Sequence, residues 1–219
     1  MNVFYLHGFT SSPRSKKGTW IKTKFAEYNI DLHLPDLNVP TFEHLRMTAM
    51  LETVQREIAA CPPGDVVLIG SSLGGTVAVN FADHAHFGAT PEGQRISHVI
   101  LLAPAFDIQQ NWTRRIGEDG IAAWRDRGWI NVYNYAIAAE APVDYGFLED
   151  VTRYQPYQAR IDVPILDYHG THDDTVPHTQ SEQFASGRAN VDLRLIDSDH
   201  ELLDQTNVMW AGITGFLQV

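Results

Sequence analysis

The chain reads as an α/β fold: about six mainly parallel strands with helices on both faces. Two observations predict this. Short runs of Val, Ile, Leu and aromatic residues alternate with helical periodicity along most of the chain, which is the pattern of parallel strands joined by crossover helices. The run Val66-Val67-Leu68-Ile69 is apolar at every position, as a strand covered on both faces must be. A length of 219 residues with 44% hydrophobic and 20% charged content suits a single domain over residues 1–219.

Taken in order, the first strand falls near Val3 to Leu6 and runs into Leu6-His7-Gly8-Phe9-Thr10-Ser11-Ser12. A second follows at Asp31 to Leu34. Residues 41 to 60 read as a helix, because Met47, Met50, Leu51, Val54 and Ile58 recur at three and four residues while Glu52, Gln55, Arg56 and Glu57 lie opposite. That stripe is core. The third strand, Val66 to Ile69, breaks abruptly into Gly70-Ser71-Ser72-Leu73-Gly74-Gly75, and a helix is expected from about Gly74 to Phe87. Further strands are read at Val99 to Ala103, Ile165 to Tyr168 and Leu193 to Ile196. Between the fourth and fifth, residues 106–157 carry many aromatics and several short helical patterns but no convincing strand. An insertion of that length predicts a helical cap or lid.

The break after the third strand carries the chemistry. In a G-x-S-x-G turn the serine sits on a strained strand-to-helix corner with its Oγ above the sheet, which makes Ser72 the candidate nucleophile. The helix that follows points its free N–H groups at the same spot and favours negative charge there. A serine hydroxyl needs a base to take its proton, and the base needs a carboxylate to fix its tautomer. His200 follows the last strand and Asp173 the penultimate one, in the chain order serine, acid, histidine. Asp107, after the fourth strand, competes with Asp173 for the acid role. The backbone N–H groups of Leu73, just after the nucleophile, and of Phe9, after the first strand, are the expected oxyanion donors. Trp124 and Trp129 are expected to wall the substrate pocket.

At this point the chain resembles the α/β-hydrolase superfamily over nearly its whole length. Leu6-His7-Gly8-Phe9, Gly70-Ser71-Ser72-Leu73-Gly74, the run from Gly170 to Pro177, and Ser198-Asp199-His200 all match its motifs. The loop Leu6 to Lys16 resembles that of short bacterial serine esterases, and the stretch from Leu101 to His200 is similar to acyl-glucuronide esterases and protein depalmitoylating thioesterases. Ser71 stands where many members have His. The resemblance implies hydrolysis of a carboxylic ester or thioester without a cofactor. An amidase or peptidase could use the same three residues, and a non-catalytic ligand-binding protein could use the same fold.

Other residues bound the reading. His169, His172, Asp173 and Asp174 fit no zinc spacing, so no metal is expected. Formal net charge is −11 with only 16 Lys and Arg, which argues against nucleic acid or an anionic membrane as partner. Arg14, Lys16 and Lys17 read as solvated surface charge, and His84 and His86 as the end of the helix after Ser72. The single cysteine, Cys61, excludes an intrachain disulfide. No signal peptide precedes the first strand and no apolar run is long enough to span a membrane, so a cytoplasmic protein acting on a small-molecule ester or thioester is expected.

Overall fold

The computed structural model describes residues 1–219. Its strands are β1 (Asn2–Leu6), β2 (Leu32–His33), β3 (Val66–Ser71), β4 (Ile96–Leu102), β5 (Trp129–Asn134), β6 (Ala139–Asp144), β7 (Ile165–Gly170) and β8 (Val191–Ile196). Its helices are α1 (Lys16–Ala26), α2 (Met47–Ala60), α3 (Leu73–Ala82), α4 (Ile108–Arg127), α5 (Gly146–Val151), α6 (Thr179–Ala185) and α7 (Thr206–Leu217). Six strands form one parallel sheet in the order β2-β1-β3-β4-β7-β8, and β5 pairs antiparallel with β6 in a separate ribbon.

Alternation along the strands sorts the core into two layers. Phe4, Leu6, Leu68, Val99 and Leu101 face α2, α3, α6 and the insertion. Val3, Tyr5, Val67, Ile69, Ile100 and Leu102 face α1 and α7, where Ile21, Phe25, Met209 and Ile213 meet them. All six sheet strands lie where the sequence places them.

The chain starts at β1, moves outward to β2, then returns past β1 to β3. Strand order therefore reverses between β1 and β3, and the loops leaving their carboxyl ends diverge there. Such a switch point opens a crevice at the sheet edge. It is here that the loop after β1 meets the turn after β3.

Three expectations need correction. The insertion is not wholly helical, since β5 and β6 form a hairpin between α4 and α5. The helix of residues 41 to 60 begins only at Met47, because Thr41 to Arg46 form a turn that anchors the insertion. The Asp144 N–H donates to the Glu43 carbonyl at 2.9 Å, and the Asp144 carboxylate takes His44 Nδ1 at 2.6 Å and Arg46 Nη1 at 2.6 Å. Finally, α3 stops at Ala82, so His84 and His86 lie beyond it, where they approach Asp162 and Asp83. No helix is long and apolar enough to cross a membrane.

Candidate active site

β3 ends in a turn that only small residues permit. A Cβ at Gly70 would lie 2.6 Å from the Gly75 Cα, and one at Gly74 would collide with the Leu6 carbonyl. Glycine is thus required where strand and helix cross. Between them Ser72 takes φ 53° and ψ −118°, a conformation costing a residue with a Cβ of order 1–3 kcal/mol. Backbone hydrogen bonds hold the strain: the Ser72 N–H donates to the Leu102 carbonyl at 3.0 Å, and the Ser72 carbonyl accepts from Gly75 at 2.9 Å and Ala105 at 3.1 Å.

His200, on the loop after β8, brings Nε2 to 3.1 Å from Ser72 Oγ and Nδ1 to 2.6 Å from Asp173 Oδ2. A carboxylate offers only acceptors, so Nδ1 carries the proton and Nε2 presents its lone pair to the serine hydroxyl. The Asp173 carboxylate, on the loop after β7, is fully buried. Its Oδ1 accepts the N–H groups of Thr175 at 2.9 Å and Val176 at 2.7 Å. Burial opposes its charge, but hydrogen bonds from His169 and His200 and the nearby imidazole outweigh burial and hold the carboxyl well below the usual range. Asp107 is elsewhere engaged: it caps α4, accepting the Gln110 N–H at 2.9 Å.

The loop after β1 lies against the turn. A Cβ at Gly8, the residue before Phe9, would sit 3.2 Å from Ser72 Cβ. Buried His7 fixes this loop: Nδ1–H donates to the Gly8 carbonyl at 2.9 Å and Nε2 accepts the Leu37 N–H at 3.0 Å. The Leu73 N–H opens α3, whose first turn has no acceptor within the helix.

Trp124 and Trp129 do not meet at this crevice. Trp124 is buried inside the insertion, where Nε1–H donates to the Val143 carbonyl at 3.1 Å and the ring packs 4.8 Å from Trp112. Trp129 is 43% exposed beside His44. The aromatics that reach the loop after β1 are others: Phe42, Trp112 and Phe147 pack around the Phe9 ring at 5.8, 5.6 and 5.8 Å between centroids. Sequence reading missed Phe42 because it falls in the turn before α2, outside the insertion.

Lys17 is a second departure. It is buried rather than solvated, its Nζ donating at 3.1 Å to the Oγ of Ser71, the residue before Ser72. Burial pushes its ammonium down to about 8, against the pull of Glu201, Asp173 and Asp199. His169 is buried at the end of β7, whereas His172 turns outward to Asp197 at 2.8 Å. His172 therefore points away from His169 and Asp173, which meet each other at 3.1 Å.

Solved structures share this architecture. Mouse α/β hydrolase domain-containing protein 10 superposes with a TM-score of 0.77 at 18% identity, over 99% of this chain and 89% of that one. Est1E from Butyrivibrio proteoclasticus, solved with ferulic acid bound, gives 0.79 at 16%, over 99% and 87%. The monoacylglycerol lipase of Paleococcus ferrophilus gives 0.76 at 14%, over 98% and 93%. The fold is that of the α/β hydrolases. From the first strand to the last turn of α7, through every residue of the crevice, residues 2–217 match one family model, and the chain belongs to the uncharacterised protein family UPF0227.

Proposed function

We propose that this protein is a serine hydrolase that cleaves a carboxylic ester of a small or medium acyl substrate through an acyl-enzyme intermediate. The observation that carries the reading is the line from Asp173 Oδ2 through His200 to Ser72 Oγ, with spacings of 2.6 and 3.1 Å, on a strained turn at the topological switch point. Those distances are within proton-transfer reach.

In this reading Ser72 Oγ attacks the ester carbonyl carbon as its proton passes to His200 Nε2. The carbonyl oxygen takes the negative charge and is held by the Phe9 and Leu73 N–H groups. Collapse breaks the bond to the alcohol oxygen, which leaves with the proton from His200. A water molecule then gives its proton to His200 and attacks the acyl carbon, releasing the acid and restoring Ser72. Asp173 stays ionised throughout and stabilises the imidazolium. Half-buried Phe9 and Phe42, backed by Trp112 and Phe147, supply an apolar wall beside the reacting carbonyl.

A panel of p-nitrophenyl esters from acetate to laurate, run beside acyl thioesters of the same chain lengths, tests this. The expected outcome is ester turnover that rises a few-fold per methylene, consistent with about 0.8 kcal/mol per buried CH₂, then falls once the pocket is full. Turnover should vanish in Ser72→Ala. Equal turnover by wild type and Ser72→Ala would overturn the reading, and a strong preference for thioesters would move the leaving group from oxygen to sulfur.

A further inference from the structure

Asp173 is held by more than His200. His169 Nε2 lies 3.1 Å from the same oxygen, Oδ2, and 2.9 Å from the Val176 carbonyl. Both neighbours are acceptors, so Nε2 must carry a proton. On the other side of the ring, Nδ1 faces the Ser181 hydroxyl at 2.7 Å, which can donate to it. The proton on Nε2 is therefore fixed by its two acceptors, and the ring is fully buried with 0% exposure. No step of the proposed reaction uses it.

We propose, resting on the reading of Asp173 as the acid, that His169 is a positioning residue: its Nε2–H holds the carboxylate oxygen that His200 also uses, fixing the carboxylate and sharing its charge. An oxygen that accepts two N–H groups offers each less than it would offer one alone. With His169 present, Oδ2 stabilises the His200 imidazolium less than it would alone. Without it, the whole oxygen is turned on His200, and the carboxylate loses one of the four N–H groups that orient it.

Other charged groups face this cluster. Lys17 from α1 acts on Asp173 through space. Asp167, two residues before His169 on β7, is buried with both oxygens lacking a hydrogen-bond partner. Burial pushes its carboxyl up to about 7, with Ser181 and His169 pulling the other way. Because Asp167 titrates in the same range, its contribution must be separated by Asp167→Asn.

The test is the pH dependence of kcat/KM, and of the fluorophosphonate labelling rate at Ser72, from pH 5 to pH 9. In His169→Phe the acid limb should move to higher pH by roughly half to one unit, with labelling at pH 6 slowed several-fold and KM unchanged. His169→Gln, whose amide N–H can reach Oδ2, should restore part of the shift, and Asp167→Asn should leave the limb in place. A His169→Phe limb that coincides with wild type overturns the proposal, as does an Asp167→Asn limb that moves as far. If His169→Phe does not fold, ¹⁵N NMR of the unmodified protein decides, since a ring protonated at Nδ1 rather than Nε2 near neutral pH overturns it. Failure of the underlying hydrolase reading looks different: His200→Ala would then label as fast as wild type.

Discussion

Asp173 and Asp107 both lie on loops that follow sheet strands, but they make different contacts. Asp173 accepts from His200 through a fully buried carboxylate, whereas half-buried Asp107 caps the N-terminus of α4. Asp173→Asn should therefore lower kcat/KM on the order of 10⁴-fold, as loss of the orienting acid does in a serine triad. Asp107→Asn, itself a good cap, should keep activity within a few-fold. The reverse ranking in folded variants would move the acid to β4. Ser72, Asp173 and His200 were all legible in the sequence, because turn chemistry and chain order constrain them. Lys17 was not, since a charge after a polar loop reads as exposed and only the packing of α1 beneath the turn buries it. Its place in the first turn of a helix, where a cation opposes the dipole, was the available signal. In the unfolded chain Lys17 stays charged up to about 10.5, but in the fold only up to about 8. Its folded value is depressed, so the charged form destabilises the fold most below pH 8, by on the order of 3 kcal/mol, and the penalty fades as pH rises from 8 to 10.5. Lys17→Met should thus raise the urea midpoint at pH 7 and lose that advantage by pH 10.5. An advantage that does not change with pH would contradict the burial of a charged lysine.

At the scale of elements the insertion is where sequence and structure part. Its ribbon hid from pattern reading for identifiable reasons. The turn from Tyr135 to Ala138 has no glycine; instead Asn134 Oδ1 accepts the Ala136 N–H at 2.9 Å, and Ala138 takes a positive φ of 52°. Pro142 lies inside β6, which a two-stranded ribbon tolerates on its open edge. Inward positions are also few, namely Val132, Asn134, Ala141 and Val143. By contrast α2 was legible because its apolar stripe faces a continuous core. The different settings of the aromatics separate two outcomes. Trp124→Ala should cost about 3–5 kcal/mol in stability, as truncation of a fully buried ring does, and leave the acyl-chain preference alone. Phe42→Ala, half-buried against Phe9, should shift that preference toward longer chains with a smaller loss of stability. A preference that follows Trp124 and ignores Phe42 would place the pocket within the insertion instead.

For the molecule as a whole, topology decides where chemistry can occur. Reversal of strand order between β1 and β3 brings Gly8 and Ser72 together, while β7 and β8 deliver Asp173 and His200 from the same sheet edge. The sequence predicted this arrangement because apolar runs mark parallel strands plainly and the candidate residues sit on the loops that follow them. Side-chain neighbours across loops carry no such periodic signal, which is why the contact of His169 with Asp173 and the Phe9 cluster emerged only from the fold. The central claim is that one serine is activated, and labelling with a fluorophosphonate followed by intact-mass analysis and peptide mapping tests it most directly. One label per chain is expected, on the peptide bearing Ser72, absent in Ser72→Ala and strongly slowed in His200→Ala. A label on any other residue, or a Ser72→Ala protein that labels at the wild-type rate, would contradict the account.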